Sequence, residues 1–186
     1  MENQIDEDVL CVETFLKGAD RGFEDLVRRY ENRVLNIIYS LIRSDSESRD
    51  IAQEVFLKVY HNLESFRRQS RFSTWLYRIT VNTVYDFLRK RKNITQDAVF
   101  FEPLAASDQG PREVLLAKEK GEIVRLALAK VPFKFRSALV LKDIENLSYL
   151  EISEVLHCSL GTVESKIYRA RKFLKQELLK LGVNQS

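Results

Sequence analysis

The chain has no glycine between Gly22 and Gly110 and no proline before Pro103. A sheet-rich chain needs turn residues at short intervals, so a long stretch without glycine and proline, the residues that most often interrupt helices and strands, favours helices. Apolar residues in the run from Leu26 to Leu41 recur at three- and four-residue intervals, which is the spacing of a helix with one buried face. The sequence therefore predicts an all-α fold.

Two prolines and a glycine occur close together in residues 103–111 and divide the chain into two parts. The surrounding stretch is polar, and residues 93–113 hold four acidic residues against one arginine. This composition is typical of a flexible linker. The sequence predicts two small helical domains, residues 1–92 and 118–186, joined by an acidic, flexible linker, residues 93–117.

Composition narrows the class of protein. Charged residues make up 31% of the 186 residues and hydrophobic residues 45%, which is typical of a folded domain rather than a disordered chain. No apolar stretch reaches the roughly 20 residues of a membrane-spanning helix, and residues 1–6 do not resemble a signal peptide. Two cysteines far apart in the chain, Cys11 and Cys158, do not make a disulfide framework. We therefore expect a cytoplasmic protein without membrane insertion of its own.

The small net charge of +3 conceals two basic segments, one in each predicted domain. Residues 66–92 hold eight basic residues and one acidic residue, and residues 162–180 hold six basic and two acidic residues. Residues 1–31, in contrast, hold nine acidic and four basic residues. A basic segment is either a binding surface for a polyanion or only a solvated face, and charge alone leaves both interpretations open.

The C-terminal domain carries the pattern of a helix-turn-helix. Ser148 and Glu151 form a capping box that begins a short helix, residues 157–161 end it, and a second helix follows from about Thr162. The outward face of the second helix is polar and basic as far as Lys175, as expected of a helix that enters the major groove. A plain helical hairpin with a solvated basic face is the alternative. The predicted buried residues are Leu150, Ile152, Val155 and Leu156 in the first helix and Val163, Ile167, Ala170 and Leu174 in the second.

Aromatic residues are interleaved with the charges of the first basic segment. Aromatic rings beside cations suit single-stranded nucleic acid, because rings stack on unpaired bases while Arg and Lys follow the backbone. Aromatic residues at helical spacing more often fill a core, so the spacing leaves both interpretations open. Ser73 or Thr74 is predicted to cap a helix that begins near Trp75. The aromatic residues are Phe66, Phe72, Trp75, Tyr77, Tyr85 and Phe87.

Residues 50–60 predict a further amphipathic helix. Ile51, Val55 and Val59, four residues apart, form its buried stripe. Physical chemistry alone assigns no role to the opposite, mildly acidic face. Its outward residues are Asp50, Gln53, Glu54 and Leu57.

These motifs together resemble a known family. The segments 50–60 and 72–79, with Asn82, resemble region 2 of bacterial extracytoplasmic-function (ECF) sigma factors. Segments of the C-terminal domain resemble region 4 of the same family; they are 136–141, 147–149, 151–152, 161–166 and 169–171. Regions 2 and 4 match in order and spacing around a variable linker, so the resemblance covers nearly the whole chain.

The resemblance implies a transcription initiation factor that is not an enzyme and needs no cofactor. Such a protein binds core RNA polymerase, through the β′ clamp helices and the β subunit, and directs promoter-specific transcription initiation. The implied partners are therefore the polymerase core, promoter DNA and an anti-sigma factor that controls the protein. The acidic linker would follow the RNA-exit path of the polymerase.

The resemblance also implies three sets of contact residues. The docking surface for the β′ clamp helices corresponds to Asp50, Gln53, Glu54 and Leu57. The contacts to the melted minus-ten element correspond to Asn62, Ser65, Phe66, Phe72, Ser73, Trp75, Arg78, Asn82 and Arg89. The contacts to the duplex minus-thirty-five element correspond to Thr162, Glu164, Ser165, Lys166, Tyr168, Arg169, Arg171 and Lys172.

Three departures from the family pattern stand out. His157 lies where the family usually has glycine, and histidine tolerates a left-handed conformation less well than glycine does. Glu164 occupies a position often held by lysine, where it could accept a hydrogen bond from a cytosine amino group. Val131 replaces the usual leucine, and the rings of Phe133 and Phe135, which follow it, are either core residues or a partner surface.

Other functions find less support in the sequence. Glu154 and His157 form a Glu-x-x-His motif, but a di-iron bundle needs two copies and two further glutamates. Neither a glycine-rich phosphate loop nor a Gly-x-Ser-x-Gly motif occurs, so no catalytic site or metal site is predicted. The remaining alternatives are a stand-alone helix-turn-helix regulator that binds duplex DNA and a module that binds an acidic partner protein.

Overall fold

The structure, a computed structural model, describes residues 2–42, 44–94 and 112–182, with side chains at 7–42, 44–91 and 121–182. Every regular element in these ranges is a helix, which confirms the predicted all-α fold. Residues 95–111 of the predicted linker lie outside the described residues, so its flexibility stays a prediction. The helices are α1 (Glu2–Leu16), α2 (Arg21–Ile42), α3 (Asp45–Asn62), a 3₁₀ turn (Leu63–Ser65), α4 (Phe72–Ile94), α5 (Arg112–Lys130), α6 (Phe133–Asp143), α7 (Tyr149–Leu156) and α8 (Leu160–Lys180).

Helices α1 to α4 form the N-terminal half. The apolar run from Leu26 to Leu41 on α2 is buried, as its spacing predicts. Gly22 lets α1 approach α2 closely, because a Cβ atom there would lie 2.3 Å from the carbonyl oxygen of Cys11 and 2.6 Å from the backbone nitrogen of Phe15. Only glycine fits this contact without a shift of the backbone.

A buried polar cluster also joins α1 to α2. The carboxylate of Asp8, on α1, accepts hydrogen bonds from the guanidinium of Arg29 and from the hydroxyl of Tyr30. Asp8 is only 5% exposed, and a buried charge of this kind is tolerated when it is paired and hydrogen-bonded. The ring of Tyr30 continues into the core and lies 5.4 Å from the ring of Phe72.

Helices α5 to α8 form the C-terminal half, and the predicted helix-turn-helix lies in α7 and α8. The capping box is confirmed: the Ser148 backbone donates to the Glu151 carboxylate at 2.8 Å, and the Glu151 backbone donates to the Ser148 hydroxyl at 3.2 Å. His157 ends α7 in the left-handed conformation, with φ of 47°. The turn therefore places a residue with a Cβ atom in the left-handed conformation that glycine adopts most readily.

The prediction that Leu150 of α7 lies in the core is wrong. Leu150 is 59% exposed, whereas Ile152 and Val155 are buried as predicted. The helix begins at Tyr149, and Tyr149 packs partly against the core. Since successive helical residues are turned by about 100°, Leu150 is carried away from the face that holds Tyr149, Ile152 and Val155.

The two halves pack against each other in this structure. Helix α4 contacts α7, and helix α2 contacts α5 and α6. The ring of Tyr85, on α4, lies 5.8 Å from the ring of Phe133, at the start of α6. Buried residues of both halves form one contiguous hydrophobic cluster. The candidate binding surfaces of one half are therefore positioned relative to the other.

Candidate nucleic-acid and partner interfaces

Helix α8 presents one apolar face and one basic face. It begins at Leu160, two residues before the predicted start, because Ser159 acts as the N-cap and accepts a hydrogen bond of 3.3 Å from the Thr162 backbone. The predicted apolar stripe is confirmed: Val163, Ile167 and Ala170 are buried, and Leu174 packs partly against the core. This stripe turns the polar side chains outward.

All eight residues that the sequence assigns to the duplex element lie on this outward side or at its edge. Lys166 is half-buried and the other seven are exposed. Arg171 is held by Asp143 of α6 in a hydrogen bond of 2.8 Å, which raises the pKa of its guanidinium. The remaining cations of this face include Lys166, Arg169 and Lys172.

A cleft of about 550 Å³ opens at the start of α8. Its lining residues come from α6, from α8 and from the residue before α8, so sequence reasoning that followed α8 alone missed Lys134, the second residue of α6. No carboxylate lies among the eight residues that line it. Those residues are Lys134, Phe135, Ser159, Gly161, Thr162, Ser165, Lys166 and Arg169.

In the N-terminal half, three of the aromatic residues assigned to single-strand binding are buried. Phe66, Phe72 and Trp75 are 3–7% exposed, and their ring centroids lie 5.5–5.8 Å apart. The structure thus favours the core interpretation that the spacing left open. Their burial leaves little ring surface on which a base could stack.

The predicted start of α4 is wrong. The helix begins at Phe72 rather than near Trp75, and neither Ser73 nor Thr74 acts as its cap. Thr74 is buried and its hydroxyl has no hydrogen-bond partner. Phe72 lies in the core, in contact with Tyr30, and the helix already includes it.

The polar residues assigned to the melted element surround this aromatic cluster. Ser65 donates a hydrogen bond of 2.7 Å to the Asn62 carbonyl, and the Asn62 amide donates one of 2.8 Å to the Lys58 carbonyl. Arg89, near the end of α4, pairs with Asp86 at 3.2 Å. Asn62, Ser65, Asn82 and Arg89 are exposed, and Ser73 and Arg78 are half-buried.

A second cleft, of about 490 Å³, lies between the two halves. Ser65, Phe66, Trp75 and Arg78 are among its lining residues from the N-terminal half, while α7 supplies Glu154 and His157. Arg71 pairs with Glu151 at 3.0 Å, and the Tyr77 hydroxyl donates a hydrogen bond of 3.0 Å to the Glu145 carboxylate. In this arrangement, α7 covers one side of the cleft that holds residues assigned to the melted minus-ten element.

Burial and hydrogen bonding perturb the acids at this junction in opposite directions. Burial raises the pKa of Glu145, although Tyr77 and Arg33 oppose that effect. Burial also acts to raise the pKa of Glu151, but the hydrogen bonds from Ser148 and the charge of Arg71 outweigh it, so this pKa is lowered. Burial and the nearby Glu145 carboxylate raise the pKa of Tyr77, which keeps its hydroxyl a donor.

The four residues predicted to share one face of α3 do so: Asp50, Gln53, Glu54 and Leu57 are all exposed. Leu57 exposes 53% of its surface in the middle of this face. Tyr60, one turn further, is 40% exposed and contacts the rings of Phe15 and Phe23 at 5.1 Å. Sequence reasoning missed this aromatic cluster because its members come from three helices.

Within the part of the chain that the structure describes, no group of three or more His, Cys, Asp or Glu residues is arranged to hold a metal ion. In the same part, no helix is both long enough and apolar enough to cross a membrane.

Comparison with known proteins yields consistent matches along the chain. Residues 26–94 match the family model for Sigma-70 region 2, and residues 121–174 match that for Sigma-70 region 4. The RNA polymerase sigma-H factor of Pseudomonas aeruginosa is 37% identical, over 93% of this chain and 94% of that protein. The ECF RNA polymerase sigma factor SigW of Bacillus subtilis is 33% identical, over 87% of this chain and 91% of that protein.

The structure is similar to that of a sigma factor bound to a partner protein. The sigma factor RpoE of Bartonella quintana, solved in complex with the anti-sigma factor NepR, aligns with a TM-score of 0.69 and 27% identity. The alignment covers 85% of this chain and 96% of that chain.

Proposed function

The chain belongs to the extracytoplasmic-function (ECF) RNA polymerase sigma factors, and we propose that it selects promoters for core polymerase by binding alone, without catalysis of its own. The observation that carries this proposal is the exposed basic face of α8, which the buried stripe from Val163 to Ala170 directs away from the core. A polyanion is the complementary partner of such a face, and a helix-turn-helix presents it to the major groove.

Core polymerase would dock on α3. The face formed by Asp50, Gln53, Glu54 and Leu57 combines an exposed apolar side chain with two carboxylates, which suits a partner surface with a basic rim. The β′ clamp helices are the partner that the family implies for this face. The protein would then act in the cytoplasm, together with the polymerase.

The melted minus-ten strand would enter the cleft beside α4. The buried rings of Phe66 and Trp75 form part of the floor of this cleft, and Arg78 lies among its walls. We assign capture of the strand to polar edges and cations rather than to stacking on exposed rings. Asn62, Ser65, Ser73, Asn82 and Arg89 are the further residues of this proposed surface, with Phe72 behind the floor.

The duplex minus-thirty-five element would bind α8. Residues near its start, such as Glu164 and Ser165, would meet base edges, and cations further along, such as Lys172, would meet phosphates. The complete proposed set is Thr162, Glu164, Ser165, Lys166, Tyr168, Arg169, Arg171 and Lys172.

Opening of the two halves would control access to DNA. Since α7 stands over the proposed single-strand cleft, promoter DNA and α7 compete for the same space. We propose that core polymerase separates the halves and that an anti-sigma factor opposes this step. The similarity to a sigma factor in complex with an anti-sigma factor supports that form of control.

A run-off transcription assay with bacterial core polymerase, this protein and a pool of promoter fragments tests the proposed function. Specific transcripts that require the protein are the expected result. If the protein neither binds core polymerase nor yields transcripts, the proposal fails. Tight binding to duplex DNA without polymerase would then identify the stand-alone helix-turn-helix regulator.

A further inference from the structure

We propose that Lys134 is a DNA-phosphate ligand outside the recognition helix and that the Phe135 ring positions it together with Arg169. The proposal rests on the proposed function, because it concerns the same duplex-binding surface. It adds two residues of α6 to that surface, neither of which belongs to the residues assigned to it from the sequence.

The first argument is the shape of the cleft at the start of α8. Lys134, at the second position of α6, faces the same opening as Lys166 and Arg169, which come from α8. Three cations thus line one cleft of about 550 Å³ that has no carboxylate among its lining residues. Without a counter-charge in the cleft, these cations favour an external anion.

The second argument is the environment of the Phe135 ring. The Lys134 ammonium lies 5.0 Å from the ring centroid, and the Arg169 guanidinium carbon lies 5.8 Å from it. Cations within about 6 Å of an aromatic centroid are attracted by the ring quadrupole. One ring therefore restrains two cations from different helices on the side of the cleft.

The ring itself is fixed by its own packing. Phe135 is 8% exposed and stacks on Phe173 of α8, with centroids 5.8 Å apart and planes inclined by 20°. A fixed ring can orient the two cations before DNA arrives, which reduces the entropy that they lose on binding.

A backbone phosphate is the occupant that these groups fit best. Arginine and lysine together recognise phosphate oxygens, and the Ser159 and Thr162 hydroxyls at the start of α8 line the same cleft as further hydrogen-bonding groups. Glu164, which is proposed to meet base edges, does not line the cleft. The contact would thus add affinity without sequence preference.

The salt dependence of promoter binding tests the role of Lys134. Holoenzyme reconstituted from core polymerase and the full chain is bound to its promoter at several salt concentrations. Lys134→Ala is expected to weaken binding and to lower the slope of log K against log salt by about one. Lys17→Ala, which removes the same charge from an exposed position after α1, is the control and should leave the slope unchanged.

A slope for Lys134→Ala equal to that of the wild type overturns the assignment. Failure of the proposed function gives a different result, since wild-type holoenzyme would then show no specific binding. The two failures are therefore distinguishable.

A mutant cycle tests the positioning role of Phe135. Phe135→Leu keeps an apolar side chain but removes the ring, and it should weaken promoter binding about two- to fivefold. Phe135→Tyr should restore the binding. In a Lys134→Ala/Arg169→Ala background, Phe135→Leu should cause no further loss, because no cation remains on the ring. An equal loss in both backgrounds would show that Phe135 only fills the core and would overturn its positioning role.

Discussion

Arg71 and Glu151 join the two halves of the protein through a hydrogen-bonded ion pair of 3.0 Å. The same carboxylate completes the capping box of α7, because its other oxygen accepts hydrogen bonds from the Ser148 backbone and hydroxyl. One side chain therefore both begins a helix and holds it against the neighbouring half.

Reversal of the charge at Arg71 should open the two halves. Arg71→Glu places a second carboxylate beside Glu151, and the repulsion should increase the radius of gyration of the free protein, which small-angle X-ray scattering measures. Arg49→Glu makes the same change at an exposed position of α3 that does not line the cleft between the halves, and it serves as the control. The effect should be small in energy, about 1 kcal/mol, because the pair is partly exposed. Equal scattering curves for both variants would contradict a role for the pair.

The contribution of Glu145 to stability should depend on pH. Its pKa is raised by burial, so it favours the folded, closed form when protonated, and this contribution is lost as pH rises through the raised pKa, above 4.5. Glu145→Gln keeps an acceptor for the Tyr77 hydroxyl and has no charge to bury. The stability of this variant relative to the wild type, measured by urea denaturation, should therefore increase from pH 4.5 to 7. A difference in stability that stays constant over this pH range would contradict this role of Glu145.

Removal of the two carboxylates of α3 should weaken core binding. Asp50→Ala with Glu54→Ala leaves the buried stripe of the helix intact, so the fold should persist, as circular dichroism would verify. We expect at least a tenfold loss of affinity for core polymerase, or about 1.4 kcal/mol. Glu24→Ala with Glu31→Ala removes two exposed acids from α2 and provides the matched control. Equal affinities for both double variants would place the docking surface elsewhere.

Gly22 and Gly161 should respond in opposite ways to replacement by alanine. A Cβ at Gly22 would meet the backbone of α1 at 2.3 Å, so Gly22→Ala should lower the free energy of unfolding by about 1–3 kcal/mol or more. A Cβ at Gly161 meets nothing within 4 Å. Gly161→Ala should be neutral or stabilising by up to about 1 kcal/mol, because alanine is the better helix former. Thermal and urea denaturation of both variants provide the comparison.

Glycine at position 157 should stabilise the helix-turn-helix. His157 has φ of 47°, a conformation that is unfavourable for a residue with a Cβ. His157→Gly should therefore raise the free energy of unfolding, by about 0.5–1 kcal/mol once the greater freedom of glycine in the unfolded chain is included. His157→Val, with a branched side chain, should lower it. A melting temperature that falls for both variants would show that the imidazole makes a stabilising contact.

Local patterns predicted well those features that depend on one segment. The apolar stripe of α2 and the capping box at Ser148 needed only their own sequence, and both are confirmed. The start of α4 was predicted wrongly: the helix already includes Phe72, which packs in the core against Tyr30, a residue distant in the sequence. The burial of Trp75 also depends on distant residues. Helical spacing shows which residues share a face of α4, but only the neighbouring helices decide whether that face meets the core or the solvent.

The candidate sites divide in the same way. The outward faces of α3 and α8 follow from helical periodicity, which a single segment contains. The two clefts do not follow from periodicity, because each is lined by residues from more than one element. Lys134 and Arg169 line one cleft, and Arg78 and His157 line the other. No periodic pattern relates such pairs, and only packing brings them together.

The contact between Tyr85 and Phe133 has a consequence for protein engineering. A chimaera that exchanges the C-terminal half for that of another family member, in order to redirect promoter choice, would discard Phe133, Glu145 and Glu151 together. The remaining half would then lose the ring contact of Tyr85, which is already 52% exposed, and would leave the hydroxyl of Tyr77 and the charge of Arg71 without these partners. Grafts that exchange only exposed residues of α8 and keep Phe133, Glu145 and Glu151 would retain the contacts between the halves.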